Sequence, residues 1–177
     1  KSQDPEAISG EPMESLASCL RGMLMATEGN RLMVSDYASI EARVLAWLAG
    51  DDAIIMTFLD GQDIYKTTAS RMFNVDYADI NYDQRFVGKV ATLALGYQGG
   101  VRAFQKMSEA YGTEVTEQEA LKIRNDWRDA NQAIVRLWVD VERAARNAIS
   151  YDGQQYKASK GVFKMIKGDL LFKLPSG

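Results

Sequence analysis

Between residues 40 and 150 the sequence reads as one helical segment after another, most with a visible start or stop signal. That run constrains the fold more than any other feature of the chain. "SIEARVLAWLAG" places Ile40, Val44, Leu45 and Leu48 at helical spacing and ends on Gly50. "DAIIMTFLDG" is a second short helix closed by Gly61, and "DIYKTTASRMFN" is a third. "YADINYDQ" is polar and turn-rich, with Asn81 or Asp83 available to cap the helix of "RFVGKVATLALGYQGG". "GVRAFQKMSEAYG" stops at Gly112, and "TEQEALKIRNDWRDA" opens with Thr116 and Glu119 at capping-box spacing. "NQAIVRLWVDVERAARNAI" is a long amphipathic helix. The flanks read differently. "RGMLMATEGNRLMVSDY" predicts two short apolar strands joined by a turn at "TEGN", the second strand, Arg31 to Val34, delivering Asp36 at its end. "QYKASKGVFKMIKGDLLFKLPSG" turns strand-like again, with a hairpin turn at "KGD". The expected class is α+β, mainly helical: about seven helices inserted between short antiparallel strands.

Composition removes several kinds of chemistry. The chain has 177 residues and 46% hydrophobic content, enough for a real core in one domain or a large piece of a bigger one. It has no histidine, which excludes histidine-based triads, bases and metal ligands within these residues and argues against zinc. A single cysteine, Cys19, excludes an internal disulfide, fits a reducing compartment, and is read as a core side chain. No apolar run is long enough to span a membrane and the first residues are no signal peptide, so a soluble, cytoplasmic protein is expected. The net charge of −3 gives no global support for nucleic-acid binding. Its distribution does more. Residues 85–106 carry Arg85, Lys89, Arg102 and Lys106 and no acid. Residues 156–177 carry Lys157, Lys160, Lys164, Lys167 and Lys173 against Asp169 alone. Either segment can meet phosphates or stand as an ordinary solvated surface. The closing "LPSG" carries no terminal element, so the fold is expected to continue past residue 177.

Two constellations carry candidate chemistry. In "VSDYASIEARVLAWLAGDD", Asp36 follows a predicted strand and Glu41 falls on the first turn of a helix. A carboxylate at a strand end is a hard ligand suited to magnesium. The competing reading is local: Asp36 capping the helix and Glu41 meeting its dipole. In "RFVGKVATLALGYQGG", positions 85, 89, 93 and 97 step by four, so Arg85, Lys89, Leu93 and Tyr97 share one helical stripe. Two cations one turn apart repel in an isolated helix, yet facing a polyphosphate they cooperate: arginine forks onto oxygens and lysine acts as a point charge. Gly88 leaves room for a ligand or a neighbouring backbone, and a tyrosine beside glycines can stack on a base. A solvated cationic face with one core tyrosine remains the plain alternative. "GYQGG" lacks the Gly-Lys-Ser/Thr of a phosphate loop.

Taken together, the two segments resemble the DNA polymerase I-like, family A DNA polymerases, most of all those of phages and prophages. "DYASIEARVLAWLAGD" is similar to the family pattern Asp-Tyr-Ser-x-Ile-Glu-x-Arg-x-x-Ala. Arg85, Lys89 and Tyr97 match the pattern of an arginine, a lysine four residues on and a tyrosine eight further. "GQDIYKTTASRMFNV" resembles the family's Asp-Ile-His-x-x-x-Ala segment. The resemblance runs from about residue 18 to 112 and is looser to 150. It implies a hand-shaped fold, with residues 1–50 a partial palm, 51–129 helical fingers, and 130–177 a long helix and strands returning to the palm. It implies template-directed DNA synthesis, with deoxynucleoside triphosphates, primer–template DNA and the rest of the polymerase as partners, and two magnesium ions as cofactor. Asp36 and the Tyr37 carbonyl would hold metal. Asp36 and Lys89 would serve catalysis. Glu41 would block a ribose 2′-hydroxyl. Tyr65, Arg85, Lys89 and Leu93 would bind the incoming nucleotide, Tyr97 would stack near the templating base, and Gln98 and Arg102 would lie near DNA. Arg43 would support the scaffold.

The departures matter as well. Leu93 stands where many relatives have an aromatic ring, Tyr65 where they have a histidine, and Gln98 where a glycine follows the tyrosine. The family's second catalytic carboxylate sits in a His-Asp-Glu turn, and these residues hold no histidine. This chain alone is therefore expected not to polymerise. A single-subunit RNA polymerase relative and a non-catalytic nucleotide- or DNA-binding domain are the other readings. Glu41 argues against the first of these.

Overall fold

The structure is a computed structural model and describes residues 12–177. The chain divides into two compact units, residues 1–38 and residues 39–177.

In the first unit, helix α1 (Pro12–Leu20) runs into a 3-10 turn (Arg21–Met23). The expected turn at "TEGN" forms: Gly29 takes φ +79°, and Asn30 N–H donates to the Thr27 carbonyl at 3.0 Å. The two expected strands beside it do not form, and residues 24–37 hold no regular structure apart from that turn. The physical reason lies in burial. Leu24, Met25, Leu32, Met33 and Val34 are all exposed, Val34 at 93%. A lone two-stranded ribbon with no apolar face to cover is marginal in water. Cys19 also departs from expectation, since it is exposed and not core.

The second unit carries the seven expected helices. They are α2 (Ile40–Ala49), α3 (Asp52–Leu59), α4 (Ile64–Phe73), α5 (Tyr82–Leu95), α6 (Val101–Ala110), α7 (Glu117–Ala130) and α8 (Gln132–Ser150). Their ends are set by side chains visible in the sequence. Asp51 and Asp63 cap α3 and α4, accepting from Ile54 N–H and from Tyr65 and Lys66 N–H. Asn81 and Gln84 form a capping box on α5, so Asn81 rather than Asp83 is the cap. Thr116 and Glu119 do the same on α7. Gly50 ends α2 in the left-handed region, where a residue without Cβ rests at little cost.

Helix α5 is the axis of this unit. Val90, Ala91 and Leu95 are fully buried and join Leu45, Met72, Phe104, Ala120, Trp127 and Ile134 in the main core. The contact between α4 and α5 is unusually close at Gly88. A Cβ there would lie 2.3 Å from the Tyr65 carbonyl oxygen, so the space at this glycine is filled by a neighbouring backbone. Thr92 closes the same seam, its hydroxyl bonded to the Gly88 carbonyl at 2.8 Å and to Thr68 Oγ1 at 3.1 Å. Arg71 ties α4 to its neighbours by donating to buried Asp51 at 3.4 Å and to the Ala130 carbonyl. Trp127 and Trp138 stack at 5.9 Å where α7 meets α8.

The tail forms an antiparallel sheet of β1 (Gln155–Ala158), β2 (Gly161–Ile166) and β3 (Asp169–Lys173), in the order β1-β2-β3 and packed on α8. The hairpin expected at "KGD" is present, with Lys167 at φ 55° and Gly168 at φ 90° between β2 and β3. Two successive left-handed residues match the strand twist of a tight hairpin. At the other turn, Ser159 donates to the Leu48 carbonyl and Lys160 lies 4.9 Å from the Trp47 ring, which ties the sheet to α2.

Candidate functional site

The stripe on α5 exists because the rest of that helix is spent on packing. One face carries Val90, Ala91, Ala94 and Leu95 into the core, and Arg85, Lys89, Leu93 and Tyr97 occupy the remaining line. At 1.5 Å per residue the stripe runs about 18 Å. Arg85 and Lys89 are half-buried, while Leu93 and Tyr97 are exposed, Tyr97 at 61%.

Each cation rests on a specific support. Arg85 Nε–H donates to Asp63 Oδ2 at 2.7 Å, and its guanidinium lies 5.4 Å from the Tyr65 ring. Burial raises the Asp63 pKa, but hydrogen bonds from Arg85 and from the Lys66 and Tyr65 N–H groups outweigh it, and the carboxyl titrates below its ordinary value. Asp63 is therefore a full anion at neutral pH. Lys89 Nζ stands 4.4 Å from the centre of the Tyr111 ring, whose edge contact with Phe86 fixes it in place. The sequence reading missed both Asp63 and Tyr111. They lie 22 residues from their partners, and no spacing rule connects a helix cap with a cation on another helix.

At the far end, Tyr97 Oη donates a long 3.4 Å bond to the Glu41 backbone carbonyl on the first turn of α2. Burial raises the Tyr97 pKa, and the Glu41 charge raises it further, so the phenol stays a donor at neutral pH. Leu45 braces this corner, its Cδ2 3.1 Å from where a Cβ on Gly96 would stand. Gln98 takes the bend itself, at φ 63°, a conformation that glycine adopts more cheaply. Gly99 packs against the Ala94 carbonyl, where a Cβ would come within 1.9 Å. Arg128 braces the loop from α7, donating to the Gly99 carbonyl at 3.4 Å over the Trp138 ring. Arg102 is exposed on the first turn of α6. Arg43 packs its guanidinium 4.1 Å from the Phe58 ring.

The structure thus gathers Tyr65, Arg85 and Lys89 at one end of the α5 stripe and Glu41, Tyr97 and Gln98 at the other, with Leu93 between. Asp36 and Tyr37 belong to the first unit, where both are exposed, Tyr37 at 79%. An exposed carboxylate and an adjacent backbone carbonyl fit magnesium in kind, since it prefers hard oxygen donors and keeps several waters. Among the described residues no three His, Cys, Asp or Glu side chains form a metal-holding group. No helix among them is long and apolar enough to cross a membrane.

The site is thus a helical layer that carries a two-cation stripe and an acid–tyrosine pair. Residues 7–153 match the sequence profile of DNA polymerase family A, and the chain belongs to that family. It is 38% identical over 175 residues to the DNA polymerase of Bacillus phage SP02, a match covering 97% of this chain and 27% of that protein. It is 34% identical over 119 residues to the thermostable DNA polymerase I of Thermus filiformis, covering 67% of this chain and 14% of that one. The chain thus spans about a quarter or less of the length of these relatives. Among solved structures, the polymerase domain of Pol1 from M. smegmatis, in complex with DNA primer–template and dNTP, shares its fold. The TM-score is 0.50 at 24% identity, over 64% of this chain and 19% of that one.

Proposed function

We propose that these residues serve template-directed DNA synthesis in the cytoplasm, as the nucleotide-gripping part of a family A polymerase that transfers a deoxynucleotide to a primer 3′-hydroxyl. The observation that carries the reading is the α5 stripe: Arg85 and Lys89 stand one turn apart on a helix whose other face is fully buried, with Tyr97 against Glu41 at its end. Family membership and the DNA- and dNTP-bound polymerase of shared fold support it. In this reading residues 51–129 are fingers and the segments on either side belong to the palm.

Arg85 forks onto phosphate oxygens and Lys89 leaves the Tyr111 ring to meet the same group as a point charge. Each charge-assisted contact contributes on the order of 1.5–3 kcal/mol. The exposed Leu93 offers apolar contact to the sugar without the flat surface of a ring. Glu41, at the foot of Tyr97, places a carboxylate where a ribose 2′-hydroxyl would need room. Tyr97 stacks on the templating base, and Gln98 and Arg102 face the DNA backbone. Asp36 and the Tyr37 carbonyl would hold magnesium, which when bound would neutralise triphosphate charge and activate the primer hydroxyl. Tyr65 keeps Arg85 company from α4 and can donate a hydrogen bond, though not the charge of a histidine.

Primer extension tests the reading. The full-length polymerase should extend a primer in a magnesium-dependent way and lose that activity on Asp36→Asn, whereas the 177 residues alone should give none. Full activity in the Asp36→Asn enzyme would remove Asp36 from catalysis, and extension by the isolated chain would overturn the need for a second carboxylate.

A further inference from the structure

Arg85 does not stand free to choose its own orientation. Asp63 Oδ2 accepts its Nε–H at 2.7 Å, and among the described residues no protein group accepts from its Nη1 or Nη2. Asp63 is itself fixed from two other directions. Its Oδ1 accepts from Tyr65 N–H at 2.9 Å and Lys66 N–H at 3.3 Å as the cap of α4, and its own N–H donates to Tyr77 Oη at 3.0 Å. The tight seam at Gly88 and the Thr92–Thr68 bond hold α4 against α5, so the carboxylate has a set position relative to the stripe.

A guanidinium carries five N–H donors in a rigid fork. A carboxylate that took both terminal nitrogens would consume the part of arginine that reads phosphate. Asp63 takes the Nε–H alone, which leaves four donors on the two terminal nitrogens. We propose that Asp63 is a positioning residue: it grips Arg85 side-on through Nε, so that the terminal nitrogens are ordered for phosphate oxygens before nucleotide arrives. This rests on the reading that Arg85 holds the triphosphate. Its benefit is entropic, because a long side chain that is already ordered loses less freedom on binding. Its cost is one negative charge near the polyphosphate, which the ordering of Arg85 outweighs.

Asparagine separates the two duties of Asp63. It caps a helix as well as aspartate does, but its one carbonyl oxygen, spent on the cap, leaves an NH2 facing the Arg85 donor. Asp63→Asn should therefore keep α4 and release Arg85. The experiment is a calorimetric titration of the 177-residue chain with dATP for the wild type, Asp63→Asn, Arg85→Ala and the double variant. The Arg85 Nε–H resonance is followed in parallel by 15N NMR. We expect Asp63→Asn to weaken dATP binding about 3- to 10-fold. The Arg85 Nε–H signal should exchange faster, and the loss should fall below about 2-fold when Arg85 is already alanine. Where Asp63→Asn unfolds, Asp63→Ser supplies a cap without a carboxylate and is read the same way. Unchanged or tighter binding in Asp63→Asn, beside weakened binding in Arg85→Ala, would overturn the positioning role and leave the triphosphate reading standing. A loss that persists undiminished in the Arg85→Ala background would make Asp63 structural only and overturn it too. No effect of Arg85→Ala would remove the triphosphate reading and this inference with it.

Discussion

Residues 39–150 and residues 24–37 contain comparable apolar side chains, yet they use them in opposite ways. In the helical region Leu95, Phe104 and Trp127 are buried within a few per cent, and side-chain caps close the helix starts of α3, α4, α5 and α7. In the earlier segment Met25, Met33 and Val34 are 80% or more exposed, and no strand forms. The difference teaches where specificity comes from. A helix satisfies its own backbone and needs only a stripe of neighbours to bury. A strand needs a partner for its backbone as well as a surface for its side chains. The cationic stripe of α5 is thus held by packing within these residues, whereas Asp36 follows a segment whose apolar side chains Met25, Met33 and Val34 are exposed.

The largest test of that contrast is a pair of truncations. Phe104→Ala should cost about 3–5 kcal/mol, because it empties a fully buried site in the core. Met33→Ala should change stability by less than about 0.5 kcal/mol. Urea midpoints of the two variants read both values, and a Met33→Ala cost close to that of Phe104→Ala would break the comparison. A smaller effect is expected at the loop after α5. Gln98→Gly should stabilise by up to about 1 kcal/mol, since glycine rests at φ 63° without the clash a side chain suffers. A lower melting temperature in that variant would mean that the Gln98 side chain contributes more than its backbone costs.

The smallest effect is acid-dependent. The folded Asp63 pKa lies below the unfolded one, so its ion pair adds stability that is complete above the unfolded pKa and lost as pH falls through the folded pKa. Both partners are about a third exposed, so the contribution is a few tenths of a kcal/mol after solvent screening. Comparing wild type with Arg85→Ala between pH 7 and pH 2 should show a small gap that closes in the acid range. A gap that widens there would reverse the sign.

Much of the fold was legible because its signals are local. The helices between 40 and 150, the Thr116–Glu119 box and the hairpin at Lys167 and Gly168 all rest on residues within four positions of one another. The stripe of Arg85, Lys89, Leu93 and Tyr97 was legible for the same reason. What supports the stripe was not. The Asp63–Arg85 pair, the Tyr111 ring under Lys89 and the Arg128 brace on Gly99 join residues 22 to 29 positions apart, and only the packing of α4, α6 and α7 against α5 brings them together. Gly88 was read as room for either a ligand or a backbone, and the α4 crossing decides for the backbone. The strands expected around "TEGN" failed because a short apolar run in the sequence reports a preference for a sheet, not the presence of one.

The central claim is that the α5 stripe grips a polyphosphate. Titrating the 177-residue chain with dATP and with dAMP, in wild type and Lys89→Ala, tests it most directly. The account predicts markedly tighter binding of dATP than of dAMP, and a loss of about 10- to 100-fold for dATP in Lys89→Ala with an unchanged melting temperature. Equal affinity for the two nucleotides, or dATP binding indifferent to Lys89, would contradict it.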